Sequence, residues 1–202
     1  MTTFEHAMVG IVGGLAAGIH RPYGWPIIAA AGIAAISPDW DGLTLLLGTK
    51  AFDTYHRVMG HNFLVAGLLA TVIGIVEYQF RLSRHGVGWL RKIVTLPDGL
   101  EETPSRGHLV NWIFVAIIAA YSHLAADIVV SGGDGLSDWE LQLLWPFSDR
   151  GFVLPLVAWG DPTVSIIFAV AMLAMLKWRE HVRMIACLCL LCVAAYILRG
   201  VI

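Results

Sequence analysis

The chain has 202 residues, 57% of them hydrophobic and only 14% charged, with a mean hydropathy of +0.72. Soluble domains carry about 25% charged residues, so this composition excludes an ordinary water-soluble globule and predicts one membrane-embedded domain over 1–202. A formal net charge of −2 leaves no basic footprint, which excludes nucleic acid as a partner class.

Six apolar segments are expected in chain order, at about 6–19, 25–36, 62–78, 108–130, 163–176 and 184–198. The fold class is therefore all-α, a polytopic membrane helix bundle. The N-terminus, MTTFEHAMVG, has no basic run ahead of its apolar stretch and is not read as a cleaved signal. The first two segments fall short of the roughly 20 apolar residues a span needs, so they are half-spanning or sheltered in the bundle. Gly10, Gly13, Gly14, Ala16, Ala17 and Gly18 would let the first helix approach its neighbours closely. The polar, Pro- and Gly-punctuated stretch 79–107 reads as a cytoplasmic connector. The stretch 131–161 reads as an interfacial outer loop or lid, anchored by Trp139, Trp145, Phe147, Phe152 and Trp159. Cys187, Cys189 and Cys192 share the last apolar run; three thiols with no visible fourth ligand read as plain packing residues.

Orientation follows from Lys and Arg. With 20–25, 79–107 and 177–183 inside, nine of the thirteen lie there (Arg21, Arg81, Arg84, Arg91, Lys92, Arg106, Lys177, Arg179 and Arg183). The four outside are Lys50, Arg57, Arg150 and Arg199, as the positive-inside rule predicts. Both termini then fall outside.

That topology gathers the polar residues of the apolar chain at the outer face. His6 opens the first segment, and Asp39 and Asp41 follow the second in SPDWD. His56 and His61 flank Arg57 ahead of the third, and His123 and Asp127 lie four apart on one face of the fourth. Asp161 begins the fifth. Each has a plainer reading: Asp39 and Asp41 as turn and cap residues after Pro38, His61-Asn62 as a helix start, His123–Asp127 as a hydrogen-bonded pair. Asp134 and Asp138, in SGGDGLSDWE, resemble a calcium loop but lack its spacing and read as solvated. His20, His85, His108 and His181 fall on the opposite side and are not candidates. Imidazoles mixed with carboxylates suit zinc first, with manganese, iron or magnesium as alternatives. Eight candidate ligands exceed one tetrahedral site, which predicts two or more ions, or one ion with outer supporting groups. Arg57 would present its planar fork to a phosphate.

His6 with Gly10, then SPDWD, HRVMGH, HLAAD and the Trp145–Phe147 WPF, in that order, resemble the YdjM-like family, described as bacterial membrane-bound metal-dependent hydrolases. The resemblance runs from residue 6 to about residue 161. It implies a place in the inner (cytoplasmic) membrane and metal-site roles for His6, Asp39, Asp41, His56, His61, His123 and Asp127. Family members often carry Thr-His-Ser where this chain has Gly60-His61-Asn62, so no hydroxyl is available there. An all-helical His/Asp site with an HxxxD element is also similar, more loosely, to zinc-dependent phospholipase C.

The function expected is hydrolysis of a phosphoester, in a lipid or lipid-like substrate, by metal-activated water at the outer interface. Asp39, Arg57 and Asp127 are the expected catalytic residues. Ser122, beside His123, lacks a separate base, so no covalent intermediate is expected. The alternative is a non-catalytic metal-binding membrane protein, a sensor or structural subunit. A transporter would need polar residues continuing through the membrane, and the last two segments offer almost none.

Overall fold

In a computed structural model, which describes residues 1–90, 107–132 and 139–201, the regular elements are helices; strand pairing among the described residues amounts to two isolated bridges. Helix α1 (Thr3–Ala17) opens on a capping box, in which the Glu5 N–H donates to Thr2 Oγ1 (3.3 Å) and the Thr2 N–H to Glu5 Oε2 (2.7 Å). It stops at Gly18, whose φ of 74° is the left-handed conformation glycine adopts without strain. After the single turn α2 (His20–Tyr23), Pro26 starts α3 (Trp25–Ile36) at a position where its missing N–H is harmless. A 3-10 helix, Ser37–Leu47, leads to α4 (Thr49–Tyr55). The remaining helices are α5 (Phe63–Phe80), α6 (Leu82–Leu90), α7 (Leu109–Val129), α8 (Pro162–Lys177) and α9 (Val182–Leu198).

Among the described residues, three helices are long and apolar enough to cross a membrane: α5, α7 and the stretch Arg179–Leu198 that contains α9. Two shorter apolar helices, α1 and α8, accompany them. The expectation of six membrane segments is corrected at the second of them. It is α3, only 12 residues long, enclosed by α1, α5 and α7 and buried along most of its length. Its alanines and glycine make it apolar without giving it the length to span, and small side chains suit helix contacts better than lipid.

Packing around α3 fixes where the polar residues end up. A Cβ on Gly10 would lie 2.4 Å from the Ala31 carbonyl oxygen and 2.8 Å from Ala35 Cβ, so α1 touches α3 backbone to backbone. Ala31 and Ala35, with Ala34, Ala66, Ala70, Ala116 and Ala120, also form an alanine seam among α3, α5 and α7, joined by Leu141 and Leu143 of the segment between α7 and α8. The Phe63 N–H donates to the Leu143 carbonyl (3.0 Å), tying that segment to the start of α5. Asp134, Asp138 and positions 91–106 of the expected connector lie outside the described residues.

Gly10→Ala therefore forces backbone apart from backbone. It should lower the thermal midpoint of the detergent-solubilised protein by the equivalent of about 1–3 kcal/mol. Gly13→Ala, where an added Cβ meets nothing within 4 Å, should leave the midpoint unchanged or slightly raised. Equal losses at the two positions would contradict this packing.

Candidate metal centre

Four stretches of chain deliver polar side chains to one end of the bundle. Helix α1 presents His6 in its first turn, and the 3-10 helix presents Asp39 and Asp41. The turn before α5 presents His56, Arg57 and His61, and the last turns of α7 present His123 and Asp127. The turn is held by Asn62. Its side chain caps α5 by accepting the Val65 N–H (2.9 Å) and donates to the Val58 and Met59 carbonyls (2.8 and 3.0 Å). Gly60 is required there, because a Cβ would fall 2.0 Å from the Pro38 carbonyl oxygen.

His61 is the hub. Its Nδ1 lies 2.9 Å from Asp41 Oδ2, and its Nε2 lies 3.0 Å from His123 Nε2, 3.3 Å from Asp127 Oδ2 and 3.5 Å from Asp39 Oδ1. His123 Nε2 is 3.4 Å from Asp127 Oδ2 and 3.6 Å from Asp39 Oδ1. The other nitrogen of His123 faces the Ala35 carbonyl at 2.7 Å, and a carbonyl only accepts, so His123 Nδ1 carries the hydrogen. In the neutral ring Nε2 is then a bare lone pair. His61 has a carboxylate at each nitrogen, Asp41 at Nδ1 and Asp39 and Asp127 at Nε2, and against the cost of burial these carboxylates favour its protonated form. With an ion between the rings, the His61 hydrogen would sit on Nδ1, and two lone pairs and two carboxylate oxygens would face that ion. A proton on one nitrogen would serve one or two of these neighbours, whereas a cation between them serves all four. Donors at about 2.0–2.1 Å from a tetrahedral ion stand about 3.3–3.4 Å apart, and the five separations here run from 3.0 to 3.6 Å.

His6 stacks on His123 with ring centroids 3.5 Å apart and brings Nε2 to 3.2 Å from Asp127 Oδ1, the second oxygen of that carboxylate. Both His6 ring nitrogens are buried without a hydrogen-bond partner. The α-amino group of Met1 lies 2.7 Å from the same oxygen. Asp41 serves the ring behind the hub, taking the Gly60 N–H (2.8 Å) and His56 Nδ1 (2.7 Å) besides His61. Burial alone would raise the Asp41 carboxyl, but the hydrogen bonds from His56, His61 and Gly60 outweigh it and hold it well below the usual carboxylate range. Three clusters able to hold an ion result: His6, His123 and Asp127; Asp39, His61 and His123; Asp41, His56 and His61.

All seven candidate ligands expected from the sequence therefore lie together, while Asp161 does not. It caps α8, accepting the Thr163 N–H (2.8 Å) and the Tyr196 hydroxyl. Arg57 is placed differently from the expectation of an open phosphate fork. Its backbone is left-handed (φ 67°), its side chain is buried, and its Nη1 donates to Ser131 Oγ (3.0 Å) and the Trp139 carbonyl (2.9 Å). The guanidinium sits over the Trp139 ring at 4.5 Å, with Nη2 3.8 Å from Asp127 Oδ1. Ala35, Gly60 and Ser131 were not legible as site residues. Only Gly60, between a candidate ligand and the HR pair, carried a local signal.

The model of the YdjM inner membrane protein family matches residues 1–202, so the chain belongs to that family. No curated protein and no solved structure was found to match it.

Asp41→Asn keeps the size but removes the charge that fixes the His61 ring. It should weaken metal retention by about 10–100-fold, read by equilibrium dialysis against a metal-buffered chelator. Gly60→Ala should reach a similar loss by displacing the turn. Wild-type affinity in both variants would exclude the orienting role of Asp41.

Proposed function

We propose that this member of the YdjM family is a membrane-bound metal-dependent hydrolase of a phosphoester, carried by a lipid or lipid-like substrate and met at the outer face of the membrane. The observation that carries the reading is the convergence of four ligand atoms, His61 Nε2, His123 Nε2, Asp39 Oδ1 and Asp127 Oδ2, with separations of 3.0 to 3.6 Å about the two imidazoles. His61 and His123 would hold a divalent ion through Nε2, and Asp39 and Asp127 through their carboxylates; zinc suits this donor set best, with manganese, iron or magnesium as alternatives. His6, on the far oxygen of Asp127, would serve a second ion. Asp41 orients His61, and His56 acts through Asp41. When bound, such an ion polarises a phosphoryl oxygen and makes water nucleophilic at neutral pH.

The chain's own residues would do the rest. Asp39, 23% exposed beside donors that are otherwise at most 3% exposed, marks the side from which a substrate and water enter. Arg57, buried and already engaged, would balance the Asp127 charge and hold the outer segment at Trp139 instead of reaching a phosphate. A second reading, a structural or sensory ion, is favoured by that same burial.

Metal analysis of the purified protein separates these readings from no site at all. Wild type and His181→Ala should carry stoichiometric metal, and His61→Ala and His123→Ala should carry little. A screen of phospholipids and soluble phosphodiesters should then show turnover that a chelator abolishes and added zinc or manganese restores. Retained metal with no turnover on any phosphoester would leave the non-catalytic reading. Metal content unaffected by either histidine substitution would exclude both.

A further inference from the structure

The segment that carries Asp39 and Asp41 continues as GLTLLLG, and its leucines do not pack on the protein. Leu43, Leu45, Leu46 and Leu47 are 54–84% exposed, and every residue from Leu45 to Lys50 is open. At the root of this excursion, Trp40 and Tyr55 are half-exposed aromatics, while Pro38 and Asp41 are buried against the bundle. We infer that residues 43–47 are a finger inserted among phospholipid acyl chains beside the candidate metal centre, a lipid contact separate from the spanning helices.

Three observations select lipid as the occupant. The excursion leaves the bundle where α3 ends and returns where α5 begins, so its root sits at one edge of the membrane-embedded body. The 3-10 helix also packs on α5, whose exposed Phe63, Leu64 and Leu68 begin the outward face of a helix long enough to span. The finger thus belongs to a helix that packs on α5, whose exposed face is apolar. Finally, leucines at the tip with Trp and Tyr at the root follow the ordering of hydrocarbon and headgroup layers, in which amphipathic aromatic rings favour the interface. In water the same leucines would be an exposed apolar patch of the kind that marks a partner surface.

Structure also links this contact to the site. The tip and the Asp39 and Asp41 carboxylates belong to one 11-residue 3-10 helix, with the Thr44 hydroxyl donating to the Asp41 carbonyl (2.6 Å) between them. The finger therefore emerges directly beside the candidate metal centre.

The test uses the full chain in phospholipid nanodiscs, with Cys187, Cys189 and Cys192 replaced by Ala. Leu46→Cys and Leu47→Cys, made separately so that one misfolded variant does not end the experiment, are labelled with an environment-sensitive NBD probe. Asp53→Cys, on the exposed face of α4, serves as the water-facing reference. The expected result is blue-shifted emission at 46 and 47. Quenching there by nitroxide-labelled phospholipid should be several-fold stronger than at 53, and quenching by aqueous iodide several-fold weaker. Iodide quenching equal to that at 53 would overturn the proposal in favour of a water-exposed tip. Protection from both quenchers, with energy transfer between differently labelled copies, would overturn it in favour of a protein–protein surface.

Discussion

Two imidazole nitrogens 3.0 Å apart, with two carboxylate oxygens beside them, impose the constraint on which this molecule depends. Buried acceptors facing one another repel unless positive charge lies among them, and two carboxylates in the same space sharpen the problem. The surroundings leave little slack. The Ala35 carbonyl, the Asp41 carboxylate and the Asn62-braced turn each fix one donor, so the centre cannot relax by rotating its rings away. A site held this firmly is able to hold a metal ion.

The scaffold achieves this with very small side chains. Without a hydrophobic drive between helices in lipid, close backbone contact has to supply the adhesion. Gly10 against Ala31 and the alanine seam of α3, α5 and α7 provide that contact. The approach of α1 to α3 also sets His6 flat on His123, so packing in the apolar half of the molecule and geometry in the polar half are one arrangement. Arg57 works in the opposite direction, from the site outward. Its guanidinium bridges toward Asp127 on one side and holds Ser131 and Trp139 on the other, joining the carboxylate cluster to the segment beyond α7.

Much of this was legible in the sequence because charged residues are rare in it. Against an apolar background, SPDWD, the HR pair with His61, and the i, i+4 spacing of His123 and Asp127 stand out, and the cost of leaving such groups unpaired in a membrane says that they must meet. What the letters could not give was the division of labour. Asp39 and Asp41 are two apart and chemically identical, yet one faces Nε2 of His61 and the other Nδ1. The length of α3 left it half-spanning or sheltered in the bundle, and composition could not decide between the two, because an apolar helix enclosed by its neighbours reads like one in lipid. For Arg57 the sequence showed a fork beside histidines but not the left-handed backbone that turns it inward.

The distribution of the donors along the chain also bears on how the protein is made. Helices in a bilayer form separately and associate afterwards, and here His6 comes from the first helix while Asp127 comes from the end of the seventh. No early fragment of the chain can present the complete set. Under the proposed reading, an ion captured at the centre stabilises only the fully associated bundle, by mass action on the native state alone. Its supply during biosynthesis would then act as a checkpoint, leaving metal-starved copies loosely joined and open to membrane proteases.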